Sequence, residues 1–162
     1  MQDSGVVDQI ASYAELQGLQ LAERLGYGVD GVVFSTNRRT AVKGFRHEPL
    51  YQRERDVYRR LESLGVEELN GFAIPQLIAH DDDLLVIEMS IVMPPFALDF
   101  AGAYLDRRPD YPHDVMQQWE SEKREQFGDS WGEVRLLMAA FASHGIYLAD
   151  VKPGNITLGE AE

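Results

Sequence analysis

The chain has 162 residues, no cysteine and a formal net charge of −12, from 27 acidic against 15 basic side chains. The missing cysteines exclude a disulfide framework or a thiolate metal site. The acidic balance argues against bulk nucleic acid or an anionic membrane as partner, because phosphates would be repelled. The length fits one domain, or two small lobes sharing a cleft, and no covalent staple is needed at this size. Residues 1–5 lack the basic and apolar segments of a secretory signal. No apolar run approaches the ~18 residues that span a bilayer. The expectation is a cytoplasmic protein.

Taken in chain order, Val7, Ile10 and Ala14 predict a leading helix over residues 7–16, ended by Gly18. Leu19 to Leu25 alternates apolar and polar residues and reads as a strand. Gly26, Gly28 and Gly31 follow with the G-x-G-x-x-G spacing. The dinucleotide-binding version of that pattern opens a helix directly after its glycines. Here Val32-Val33-Phe34 is β-branched and aromatic, Asn37 to Arg39 supplies a turn, and Thr40 to Phe45 is another strand. A plain hairpin and a phosphate-covering loop share this backbone, so Lys43 must decide between them. With a two-residue period Ala41, Lys43 and Phe45 lie on one face. Alone, such a lysine is ordinarily an edge residue that snorkels to water.

His47-Glu48-Pro49 opens a helix with proline in its first turn. Leu50, Val57, Tyr58, Leu61 and Leu64 form its apolar stripe, and Gly65 is its C-cap. Glu54 on this helix is either an exposed charge between Arg53 and Arg55 or the partner of Lys43. Residues 64–73 read as a connector. Residues 74–79 and 84–89 read as paired strands joined by an Asp81-Asp82-Asp83 turn, whose spacing fits no cation loop. Residues 90–95 are a hinge-like linker. Residues 96–106 predict a helix, broken by Pro109 and Pro112, and residues 115–127 a second one. Asp129-Ser130-Trp131 starts a third, with Val134, Leu137, Met138 and Phe141 as its stripe. The chain then runs into residues 144–158, where Asp150, Lys152 and Asn155 crowd a loop fixed by Pro153 and Gly154 and followed by an Ile-Thr-Leu strand. A base-like carboxylate, a cation and a neutral oxygen ligand on one loop are the set a phosphoryl-transfer site needs.

The glycine loop, the Ala41-Val42-Lys43 strand, Glu54, the hinge near Ile87 to Ser90, the helix at 131–143 and the loop at 144–158 occur in an order that resembles the protein-kinase-like superfamily, from about residue 19 onward. The resemblance implies an α+β, two-lobe fold: an antiparallel-sheet N-lobe with one helix over residues 19–89, a hinge at 90–95 and a reduced helical C-lobe from 96, with residues 1–18 as a leading helix. It implies ATP as ligand. The N–H groups of Gly26, Gly28 and Gly31 would cover the phosphates, and Val33 and Ala41 would sandwich the adenine, with Ile87 behind. Lys43, oriented by Glu54, would hold the α- and β-phosphates. The Glu88 carbonyl and the Ser90 N–H would read the adenine edge. Asp150 would take the proton of the attacking hydroxyl, Lys152 would steady the γ-phosphate, and Asn155 would bind a metal ion such as magnesium.

This sequence departs from the family in two places. Leu148-Ala149-Asp150 stands where His-Arg-Asp is usual, and the Asp-Phe-Gly magnesium segment, about a dozen residues past the loop asparagine in kinases, has no counterpart before Glu162. The expectation is a nucleotide-binding domain with impaired catalysis, a pseudokinase. The alternative is an active protein kinase or small-molecule phosphotransferase completed by a partner chain; Pro153-Gly154-Asn155-Ile156 is also reminiscent of the antibiotic and choline phosphotransferases. A protein partner, or a homodimer through the reduced C-lobe, is the further expectation.

Overall fold

The structure, a computed structural model, describes residues 4–27 and 31–158. Its elements in chain order are α1 (Ser4–Gln17), β1 (Leu21–Tyr27), β2 (Gly31–Thr36), β3 (Thr40–Phe45), α2 (Glu48–Leu64), β4 (Glu68–Leu69), β5 (Phe72–Ala73), β6 (Leu77–Asp81) and β7 (Val86–Ser90). They continue with β8 (Phe96–Ala97), β9 (Tyr104–Leu105), α3 (His113–Phe127), α4 (Trp131–Ser143), β10 (Ile146–Tyr147) and β11 (Ile156–Thr157). The protein is α+β and divides into two units, Met1–Gly65 with Pro75–Ile91 and Val66–Ile74 with Val92–Glu162. Among the described residues, no helix is long and apolar enough to cross a membrane.

The first unit is an antiparallel sheet of order β1-β2-β3-β7-β6, with α2 inserted in sequence between β3 and β6. Those are the strands and the helix that the resemblance implies for the N-lobe. β3 is buried at all six positions because both of its faces are covered. On one face α1 packs Val6, Ile10, Tyr13 and Ala14 against Val32, Val42 and Val86, an i, i+4, i+7, i+8 stripe. The stripe is turned by one residue from the expected one, with Val6 inside and Val7 half-buried. Helix α1 is therefore part of the first unit's core rather than a separate leader.

The other face of β3 meets α2, whose buried residues are Tyr51, Glu54, Val57, Tyr58 and Leu61. Gly65 ends α2 in the left-handed conformation, φ 67°, where glycine carries no Cβ penalty. Leu64, expected inside, is 49% exposed, so the stripe is rotated towards Tyr51 and Glu54. Asp82, in the acidic turn between β6 and β7, fastens this helix. Its Oδ1 accepts from Tyr51 Oη at 2.6 Å and from Arg55 Nη1 at 3.0 Å.

The Tyr51 hydroxyl, and after it the Arg55 guanidinium, hold the Asp82 carboxyl below its ordinary range. A carboxyl depressed in the folded state stabilises above its unfolded pKa and loses that contribution as pH falls through the folded one. Asp82→Asn should therefore cost about 0.5–1 kcal/mol near neutral pH, a modest figure because the side chain is largely exposed. The difference from wild type should close as pH falls through the depressed folded-state pKa of Asp82. Urea midpoints measured across that range check it, and a pH-independent difference would contradict the assignment.

The second unit holds a four-stranded sheet of order β11-β8-β5-β4, a two-stranded pair β10-β9, and helices α3 and α4. Two expectations are corrected here. Residues 66–74 are not a connector inside the first lobe, because the β4–β5 hairpin pairs through Ala73 with Phe96 of β8. Residues 96–106 are not a helix. Asp99, Gly102 and Asp106 take positive φ of 68°, 70° and 59°, and Asp99 Oδ1 accepts from the Ala101 N–H at 3.1 Å, a turn bond that competes with helix. Helix α4 forms as expected, burying Trp131, Val134, Leu137 and Phe141.

Candidate functional site

Each unit carries one part of the predicted set. In the first, the register aligns Val33, Lys43 and Ile87 across β2, β3 and β7, and Ser35, Ala41 and Met89 one step along. Directly opposed residues of antiparallel strands share a face. Val33, Ala41, Lys43 and Ile87 thus line the same side of the sheet, the side facing α2. There Lys43 Nζ meets Glu54 Oε1 at 2.9 Å, with the two side chains 8% and 1% exposed. Tyr58 Oη donates to Met89 Sδ at 3.1 Å, and Lys43 Nζ also lies 4.9 Å from the centre of the Phe45 ring.

This burial sets aside both of the plainer readings, the snorkelling lysine and the surface charge on α2. Desolvating two ions costs several kcal/mol for each, and their attraction often does no more than offset it. Stability alone does not account for such a pair.

The glycine positions divide. Gly26 lies in β1 opposite Val33, and Gly31 in β2 opposite Phe45. A methyl group on Gly31 would run into the carbonyl oxygen of Gly44, so close strand approach already requires glycine there. Gly28 lies outside the described residues.

Glu88 and Ser90 require correction. The Ser90 N–H, expected to read an adenine edge, donates to Gln76 O at 2.9 Å, and Ser90 Oγ accepts from the Gln76 N–H at 2.8 Å. That amide is committed to pairing with the start of β6. Glu88, expected to act through its carbonyl, sits inside β7 between β3 and β6. Its side chain points to the α1 face and accepts from Tyr13 Oη at 2.8 Å and Thr40 Oγ1 at 2.7 Å. Burial, and then the Glu88 bond, push the Tyr13 phenol well above its ordinary range. The sequence reading missed Tyr13 and Thr40. The available signal was an acid in the apolar run 84–89, since a buried carboxylate must find donors.

In the second unit, β11 pairs with β8 through Ile156 and Ala97 and fixes the end of the 144–158 loop. Val151, Asn155 and Ile156 are buried and anchor it from within. Asn155 Nδ2 donates to Asp150 O at 2.9 Å. The N–H groups of Asn155 and Ile156 both donate to Lys152 O, at 2.9 and 3.0 Å. Asp150 and Lys152 project outward, 36% and 56% exposed, with Nζ 3.7 Å from Oδ2. The loop thus brings all three predicted residues together.

With its Nδ2 engaged, Asn155 has Oδ1 left for a cation. Magnesium favours six oxygens in near-octahedral geometry. The loop provides one amide oxygen and one carboxylate that already faces an ammonium. Among the described residues no three His, Asp or Glu side chains gather as a metal site. The donors on this loop do not make a protein-built magnesium site.

No family model matches the chain, and no curated protein matches it. Among solved structures, a streptomycin–ATP–APH(2″)-IIa ternary complex aligns with 77% of this chain and 36% of its own, at TM-score 0.42 and 12% identity. The chain spans about a third of that neighbour's length, and a likeness at this level assigns no residue a role.

Proposed function

We propose that the chain is a kinase-like nucleotide-binding domain with ATP as its ligand, in which Lys43, held by Glu54, anchors the phosphates. The buried Lys43–Glu54 pair carries this reading. An ammonium held at that depth beside the apolar Val33, Ala41 and Ile87 suits a ligand with an anionic end and a flat apolar body. In the same reading binding dominates over turnover. The donors of the 144–158 loop support this, since they amount to one amide oxygen and one carboxylate already facing an ammonium, short of the six oxygens that magnesium favours.

Thermal shift with ATP tests the reading, with and without magnesium. At one hundred times Kd, ATP should add about 2.7 kcal/mol of stability to wild type. The increment should vanish in Lys43→Met, measured against that variant's own unliganded baseline. Absence of a shift under every condition would remove the nucleotide and leave a protein-contact scaffold. A shift that requires magnesium would favour the phosphotransferase alternative and call for a γ-phosphate transfer assay with Asp150→Asn as control.

A further inference from the structure

The α1 side of the sheet takes no part in the proposed phosphate anchor, yet its contacts converge on the strand that carries Lys43. A Cβ on Gly44, the next residue, would meet Ile10 Cγ1 at 2.7 Å and Val6 Cγ1 at 3.0 Å. Gln9 Nε2 donates to Phe45 O at 3.2 Å and to Leu84 O at 2.6 Å. Glu88, 5% exposed in the middle of β7, joins Tyr13 of α1 to Thr40 of β3 through its two carboxylate oxygens. Thr40 Oγ1 lies a further 2.7 Å from Thr36 Oγ1. Helix α1 is therefore tied to β3 at Thr40, Gly44 and Phe45, on both sides of Lys43 along the strand.

A carboxylate at this depth must offset its desolvation with hydrogen bonds, and an apolar side chain would pack α1 without that cost. What the polar clasp adds is direction. Hydrogen bonds fix one placement of helix on strand, whereas apolar contact tolerates sliding. We propose that Glu88 is a positioning residue for Lys43: with Tyr13 and Thr40 it locks α1 onto β3 and so sets the place from which Lys43 meets Glu54. The ligand consequence rests on the nucleotide reading; the positioning itself is a property of the folded chain and is measured without ligand.

The chain has three lysines, and Lys123 and Lys152, both in the second unit, serve as internal references for Lys43. Acylation with limiting acetic anhydride, read by mass spectrometry, reports how often the Lys43–Glu54 pair opens. Wild type in enough urea to match each variant's global stability is the control, because a merely structural role would give equal rates there. Tyr13→Phe should acylate at Lys43 about tenfold faster than the matched wild type, the equivalent of ~1.4 kcal/mol on opening the pair. Glu88→Leu should do the same. Glu88→Gln, which still accepts from Tyr13 and can donate to Thr40, should stay close to wild type. Equal Lys43 rates in Tyr13→Phe and in stability-matched wild type overturn the proposal, even where Glu88→Leu does not fold. ATP-induced stabilisation on the same samples separates the two readings: a wild type that ignores ATP fails the nucleotide proposal, while the acylation rates still decide the positioning.

Discussion

Lys43→Met should lower global stability by about 3–5 kcal/mol, because it removes the ammonium that faces the buried Glu54 carboxylate at 2.9 Å. At roughly 2–4 °C per kcal/mol for a chain of this size, the melting temperature should fall by about 6–20 °C. The double variant Lys43→Met/Glu54→Leu should recover most of that loss, since replacing a buried pair by apolar groups of similar volume is often neutral or stabilising. Thermal melts of wild type, single and double variants provide the comparison. A single variant as stable as wild type would show that the pair is hydrated rather than buried. A double variant that melts like wild type but has lost its response to ATP would place the pair on the side of function. Measured this way, the ion pair becomes a test of purpose, because folding and ligand binding make opposite demands on it.

The second large effect belongs to the other unit. Phe141 is fully buried on α4 and meets Phe100 edge-on, with ring centres 5.7 Å apart. Phe141→Ala should cost about 3–5 kcal/mol, the usual range for emptying a buried aromatic site. Phe100 follows β8, whose partner β11 ends the 144–158 loop. Loosening that region should also raise hydrogen exchange at the Asn155 and Ile156 amides. Both tryptophans, Trp119 and Trp131, lie in the second unit, so intrinsic fluorescence during urea unfolding reports on it selectively. A fluorescence midpoint unmoved by Phe141→Ala would contradict the packing described.

Much of the first unit was legible in the sequence. Alternation in β3 put Ala41, Lys43 and Phe45 on one face, and the caps at Pro49 and Gly65 bounded α2 correctly. The loop at 150–155 was equally readable, because its three polar residues are local and its Pro-Gly corner is unambiguous. The Glu88 carboxylate was passed over, with only the residue's carbonyl given a role, because strand period says which residues share a face but not what covers that face. Only the docking of α1, far away in sequence, turns its carboxylate into a clasp. The Ser90 amide was misassigned because no side-chain pattern reveals that a backbone group already pairs with Gln76. The segments at 66–74 and 96–106 failed for another reason. Their strands are two residues long, too short to show any period, and the left-handed aspartates at 99 and 106 look in sequence like ordinary helix-compatible positions.

The membership of residues 66–74 has a consequence for dissecting the molecule. The chain passes between units at 65–66, 74–75 and 91–92, so neither unit is a continuous stretch. A fragment ending at residue 91 would carry the β4–β5 hairpin without β8. It would leave Ala73 at an unpaired strand edge, the kind of surface that recruits other chains into aggregates. Isolating the first unit requires grafting a short bridge across residues 66–74, with the hairpin left behind.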